Sequence, residues 1–451
     1  MSVRLVRFPL RFRRRCEAAA RPFLPVFSPG GAILAAFAGL FGAGCAGEAG
    51  AGSEWEVTRD TVGDTIVVRT TAGSAWGQAK TLVPELTIGV LEGDEAYMLG
   101  SITSLAVSTS GEIHALDRQV PVLRKYGRDG RHIANFGREG GGPGEYKSPD
   151  GGLVVFPDGR VAARDPGNAR IQIFAQDGAP LAEWPLPSGG GFSTSRKLYR
   201  DDAGRLYSMV LLDRGRPTDE WRYGLAVIEA DGSHADTLLV PYWDYANPVV
   251  TAKNENSSSS NLVPFSASTN WTWSPRGYFV GGLSTDYRVE LFRNDDLLLR
   301  IERVWEPVPV AAAEKADAEE RITRNFQHSF PGWRWNGPPI PDTKPPFRSI
   351  SVGEDGRIWV MLSQPSTEIM TEAEARAELD RTERLPVRFR ERIAYDVFEP
   401  DGTYLGRVET PEGFSSMPEP VFRGDFVWAT LRDENDVTYI VRFRIDGTPA
   451  A

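Results

Sequence analysis

A chain of 451 residues in which 41% are hydrophobic and 25% charged has the composition of a folded protein resting on an apolar core. Its net charge of −10 argues against nucleic acid or an anionic lipid surface as partner. Only Cys16 and Cys45 are present, which excludes a disulfide framework and leaves stability to the core.

The chain opens with Arg4, Arg7, Arg11, Arg13, Arg14 and Arg15, followed by an apolar, small-residue run from Phe23 to Gly44 that stops at Cys45. Basic, then apolar, then small residues is a secretory signal layout. A Cys closing such a run resembles a bacterial lipobox, whose Cys becomes diacylated, although Gly42 and Leu40 depart from the usual spacing. An uncleaved anchor helix or an ordinary signal cleaved nearby are the alternatives. Residues 1–44 are thus expected to be a signal peptide, Cys45 the lipidation site, 45–53 a small-residue tether and 54–451 a single domain. Losing residues 1–44, with seven Arg and one Glu, takes the charge to −16. Nothing after Cys45 is long and apolar enough to span a bilayer, so the membrane is met through a lipid anchor only.

Beyond the tether, Glu54–Arg59 and Thr65–Thr70 alternate around Val62-Gly63-Asp64 and read as a hairpin. Val83–Ile88 then reads as a strand ending at Gly89. The stretch Leu105–Trp184 holds two tandem copies of one pattern. Leu105, Val107, Gly111, Asp117, Tyr126 and Asp129-Gly130 recur 48 positions later as Leu153, Val155, Gly159, Asp165, Phe174 and Asp177-Gly178. Each copy reads as four half-buried antiparallel strands, with Asp-Gly suited to the last turn. One such sheet cannot bury both faces alone and needs sister sheets.

The run Gly137-Arg-Glu-Gly140-Gly-Gly-Pro143-Gly144-Glu-Tyr146-Lys-Ser-Pro149, followed by Asp158-Gly159, Asp165, Asn168, Arg170-Ile171 and Phe174, resembles the NHL repeat. It departs from it at Ala169, where that family usually has His, and the earlier copy has Val120 in place of Asn168. The whole chain also resembles bacterial six-bladed propeller lipoproteins without an agreed activity. The resemblance implies an all-β, six-bladed β-propeller. Turn counting agrees with it. First-to-second-strand turns centre on Gly111, Gly159, Gly204, Gly277, Gly356 and Gly424; third-to-fourth turns centre on Gly130, Gly178, Gly232, Asp295, Gly402 and Gly447. The four-stranded antiparallel blades are expected to be closed by an N-terminal strand, Val83–Ile88, completing a last blade otherwise one strand short. Asn294-Asp295-Asp296 lacks Gly, so its turn must be of another type.

The long segments Gly137–Tyr146, Pro185–Ser195, Asp213–Trp221, Trp243–Phe265, Pro307–Pro346 and Pro365–Leu385 all fall in second-to-third loops or blade connections, hence on one face. Loops on a rigid scaffold are where binding residues concentrate. Two insertions read as short helices, Ala311–Phe326 and Thr371–Arg384, the second with Thr371 as N-cap and Glu374 three residues on.

Chemistry is sparse. Of His114, His132, His234 and His328 only His328 falls in a loop-face insertion, and catalytic zinc needs about three protein ligands. Asp117 and Asp165 are expected to bond turn backbone, and Gly140–Gly144 precedes a strand, unlike a phosphate loop. No cofactor is expected; a calcium-like cation on the oxygens of Asn254, Glu255, Asn256 and Asn261 is the weaker alternative to a polar loop. Aromatic clusters are the most unusual feature. Rings with planar polar groups suit sugars, peptides or aromatic ligands, and the same rings could instead pin long loops. The candidate ligand-binding residues are Trp271, Trp273, Trp333, Arg334, Trp335, Asn336, Lys344 and Arg348; no catalytic residue is assigned. The expected function is a monomeric binding or scaffold module, more plausibly not an enzyme, exported to the bacterial envelope on its periplasmic or outer surface. It would recognise a peptide, glycan or envelope protein through the loop face. The alternative is a metal-dependent hydrolase or lyase of lactonase type.

Overall fold

The computed structural model describes residues 55–187, 197–212 and 221–446. The expected signal peptide, Cys45 and tether lie outside the described residues, as do Gly447 and segments 188–196 and 213–220, which fall in two of the expected insertions.

Alternating sequence becomes antiparallel sheet. The first tandem copy forms Ile102–Val107, Ile113–Asp117, Val122–Tyr126 and His132–Phe136, paired in chain order. The second forms Leu153–Val155, Val161–Asp165, Arg170–Phe174 and Pro180–Pro185. A third sheet follows: Leu198–Arg200, Leu206–Leu211, Tyr223–Ile228 and His234–Leu239. A fourth quartet, Thr269–Ser274, Tyr278–Leu283, Arg288–Arg293 and Asp296–Arg303, is extended to six strands by the N-terminal hairpin Glu56–Val62 and Thr65–Ala72. Thr65–Ala72 runs parallel to Asp296–Arg303, Ile66 opposite Leu299.

A nine-stranded sheet holds two further quartets. One is Phe347–Val352, Ile358–Leu362, Ala394–Phe398 and Tyr404–Glu409. The other is Val421–Arg423, Phe426–Arg432, Thr438–Asp446 and the N-terminal strand Lys80–Ile88, which pairs antiparallel with Thr438–Asp446, Leu82 opposite Ile445. A two-residue parallel contact, Lys80 opposite Val408 and Thr81 opposite Glu409, joins the quartets. Thus one N-terminal stretch is hydrogen-bonded to the fourth, fifth and sixth quartets.

Packing follows the same order. Ala106, Leu116 and Phe136 share a core with Leu153, Val161 and Phe174; Ile171 and Trp184 share the next with Leu198 and Leu206; Tyr207 and Leu225 meet Trp273 and Phe279. Val289 and Ile301 pack on Ile350 and Val360, and Trp359 and Val397 on Phe422 and Val427. The sixth quartet in turn shares Ile88, Trp428 and Ile440 with Leu105 and Tyr126 of the first. The Asp-Gly turns make this packing close. Gly178 has φ +90°, and a Cβ there would lie 2.4 Å from the Phe136 ring of the preceding sheet. At Asn294-Asp295-Asp296 the left-handed conformation falls to Asn294, at φ 55°, the residue type that tolerates it best after glycine.

The insertions carry α1 (Ala312–Ser329) and α2 (Glu372–Thr382), within two or three residues of the expected bounds. Thr371 and Glu374 form a reciprocal capping box on α2, as their spacing implies. Asp117 and Asp165, both fully buried, accept backbone N–H bonds from Gly100 and Ser101, and from Lys147 and Ser148. Each aspartate ties the chain just ahead of a sheet's first strand.

Candidate functional site

The first strands of the quartets converge on one cavity of about 580 Å³. Its wall takes Ile102–Ala106, Leu153–Val155, Leu198–Arg200, Trp273, Val352 and Val421-Phe422, one contribution from each quartet. Most of that wall is apolar, because the inner strands pack both alternating sets of side chains into the cores between neighbouring sheets, Leu153 and Val155 on one side and Val154 and Phe156 on the other, and the cavity meets the edges of those cores. Charged groups sit at its two ends.

Where the inner strands begin, Lys197 and Glu419 form an ion pair with Nζ–Oε2 2.6 Å. Lys197 belongs to the third quartet and Glu419 leads into the sixth. Lys197 Nζ also lies 3.5 Å from Thr272 Oγ1 and 4.7 Å from the centre of the Tyr199 ring. Tyr199 in turn stacks on Trp271, centroids 6.5 Å apart. The two charged side chains keep 32% and 35% of their surface open, and both line the cavity. Burial acts to lower the Lys197 pKa, but Glu419 and Tyr199 outweigh it and the ammonium titrates above its ordinary range. Burial raises the Tyr199 phenol, partly opposed by Lys197.

Where the inner strands end, Glu354 stands between Arg423 and Arg200. Arg423 binds Glu354 and donates to the carbonyls of Val107 (2.8 Å) and Ser108 (2.7 Å). Arg200 approaches Glu354 to 3.8 Å. Side chains from the third, fifth and sixth quartets and backbone carbonyls of the first thus tie the strand ends together.

The eight candidate residues divide into groups. Trp273 lines the cavity and Trp271 stands beside it through Tyr199. Arg348 lies on an inner strand, but its guanidinium turns to Glu391 (3.6 Å) and is not part of the cavity wall. Trp333, Arg334, Trp335, Asn336 and Lys344 belong to the α1 insertion. Trp333 donates to Thr251 O (2.7 Å) and packs on Phe326. Asn336 exchanges two hydrogen bonds with the Thr251 backbone, and Trp335 donates to Pro338 O (3.0 Å). Arg334 is exposed. Lys344, 2% accessible, is held by Glu314 (2.8 Å), Glu391 (3.0 Å), Ser366 (2.8 Å) and the carbonyl of Gln364 (3.1 Å). These contacts pin the inserted segments to one another.

Sequence reading missed Lys197, Tyr199, Arg200, Glu354 and Glu419. The signal was available: charged residues at or beside the first strand of a repeat, a position that otherwise calls for small or apolar side chains. Among the described residues no group of three or more His, Cys, Asp or Glu is placed to hold a metal ion, and no helix is long and apolar enough to cross a membrane. Asn254 spends its side-chain oxygen on the backbone N–H groups of Asn256 and Ser257.

No known family model matches the sequence, and neither does any curated protein. Several solved structures are similar to it over most of their length. A member of the DUF4221 family from Bacteroides vulgatus is 9% identical, with 82% of this chain and 99% of that one covered and a TM-score of 0.49. A Bacteroides fragilis protein named for its expected export is 12% identical, covering 84% and 99%, TM-score 0.44. A gluconolactonase of Xanthomonas campestris is 12% identical, covering 82% and 99%, TM-score 0.37. At these values the fold of this chain rests on its own sheets.

Proposed function

We propose that residues 54–451 form a six-bladed β-propeller of NHL type, exported and lipid-anchored at Cys45, that acts as a monomeric binding module of the cell envelope. Its ligand, a peptide, a glycan or part of an envelope protein, enters the central channel from the face bearing the insertions. The observation that carries the reading is the cavity walled by the first strand of every quartet, charged at both ends and aromatic at one. The chain of shared cores that returns from the sixth quartet to the first supports a closed ring. Pockets of this size, apolar with a few placed polar groups, are the usual form of a ligand site.

Val154→Trp puts a large ring at a wall residue that also belongs to the core shared with Ile171 and Leu198, and it tests the reading. Protein carrying it should lose the ligand that the native chain captures from envelope extract, while its far-ultraviolet spectrum is unchanged. Capture unaffected by the plug would place recognition elsewhere. Stoichiometric metal in the native protein, coupled to lactone hydrolysis, would favour the hydrolase alternative. Cys45→Ser should release the protein from the membrane; an intact mass that still includes residues 1–44 would contradict lipidation.

A further inference from the structure

We infer that the ligand of this cavity is a small zwitterion with an apolar body, an apolar amino acid or dipeptide, whose carboxylate and ammonium take the places of Glu419 and Lys197 in their ion pair. This rests on the channel reading above and gives it a chemical class. Lys197 and Glu419 come from the third and sixth quartets and meet at 2.6 Å, so their pair spans the cavity where a ligand from the insertion face would arrive.

Charge balance then selects the ligand. A simple anion would draw Lys197 from Glu419 and leave a carboxylate unpaired in a partly dehydrated place, and a simple cation would strand Lys197; both are penalised. A neutral sugar can hydrogen-bond either group through its hydroxyls, but it brings no opposite charge to replace the partner that each would lose. A zwitterion inserted between them pairs both: its carboxylate meets Lys197 and its ammonium meets Glu419. The pair can open because about a third of each side chain's surface is accessible, 32% and 35%, and ion pairs open to water hold weakly. Tyr199, with Lys197 Nζ already 4.7 Å from its ring centre, offers a cation a second contact. Beyond the pair the wall is Leu105, Leu153, Val154, Leu198, Trp273 and Phe422, which suits an apolar side chain. The volume of about 580 Å³ has room for one or two residues.

Calorimetric titration of the full chain with the dipeptide Leu-Phe, its N-acetyl form, its C-terminal amide and glucose tests this. Leu-Phe should bind, and blocking either terminus should weaken it about tenfold or more, the worth of one charge-assisted contact. Lys197→Met and Glu419→Gln should each cause a similar loss, while Lys197→Arg retains binding and guards against a folding defect. Absence of Leu-Phe binding, equal affinity for the blocked forms, or binding indifferent to both variants overturns the inference. Glucose bound in its place, and lost in Val154→Trp, overturns the zwitterion but leaves the channel reading standing. Leu-Phe that still binds Val154→Trp lies outside the channel, and both fall.

Discussion

Two lysines illustrate how one side chain serves different ends. Lys344 is sealed by four polar partners, Lys197 opens onto a cavity. Removing the first should leave Glu314 and Glu391 buried with one cation fewer, and breaking a buried pair costs about 3–5 kcal/mol. Lys344→Met is therefore expected to lower stability by that order in a denaturant titration while dipeptide affinity holds. The tryptophans divide likewise. Trp271→Ala should weaken ligand through Tyr199, whereas Trp335→Ala should lower the melting temperature and leave affinity unchanged. Affinity lost in Trp335→Ala alone would return the site to the insertion. Gly178→Ala forces φ +90° on an alanine and drives its Cβ to 2.4 Å from the Phe136 ring. Left-handed strain and overpacking together should cost about 2 kcal/mol or more, measured by thermal unfolding.

At the scale of elements, α1 and α2 are clamped by Arg376, which binds both oxygens of Glu320, at 2.5 and 2.8 Å. At 11 residues α2 is too short and polar to persist alone, so the clamp and the capping box matter more for it than helix propensity. The Arg376 contact holds the Glu320 carboxyl at about 2, below its ordinary 4.5. A folded pKa below the unfolded one stabilises above the unfolded value, and that stabilisation is lost as pH falls toward the folded one. The α2 segment should therefore loosen between about pH 4.5 and pH 2, read as lower amide protection factors in Glu372–Thr382 once exchange is corrected for its own pH dependence. Glu320→Gln should show lower protection at neutral pH and a smaller further loss across that window, the remainder coming from Glu374 of the capping box, whose carboxyl the Thr371 N–H also holds below its ordinary value. Because Glu320 is 31% accessible, the effect should be confined to the insertion.

For the whole molecule, the N-terminal stretch is the decisive segment. Thr65–Ala72 covers the edge of the fourth quartet, and Lys80–Ile88 supplies the strand that the sixth lacks. Leu86 and Ile88 also pack against Gly130 of the first sheet. Deleting residues 46–90 should therefore expose Thr438–Asp446 as an unpaired edge and open the contact between last and first sheets. Exposed edges pair with other chains, so the truncated protein should aggregate. A monomeric truncated chain with an unchanged melting temperature would contradict this role.

Much of this was legible beforehand, because it depends on short-range rules. Period-two alternation between Asp-Gly and other glycine turns marks the strands and the Thr371–Glu374 spacing marks the helix cap, whereas Asp117 and Asp165, expected to bond turn backbone, accept from the segments ahead of the first strands, Gly100-Ser101 and Lys147-Ser148. The missing strand of the last quartet could be found by counting. The site could not be. Lys197 and Glu419 are 222 positions apart, and nothing local says that two isolated charges beside two inner strands face each other. The cluster richest in aromatic and basic residues drew attention because it is contiguous, yet the fold uses most of it to fasten an insertion. Alternation and turn chemistry determine which residues form sheets. Only the packing of one sheet on the next decides which side chains meet at the shared centre, since that meeting depends on the sum of the rotations between sheets rather than on any single stretch of chain.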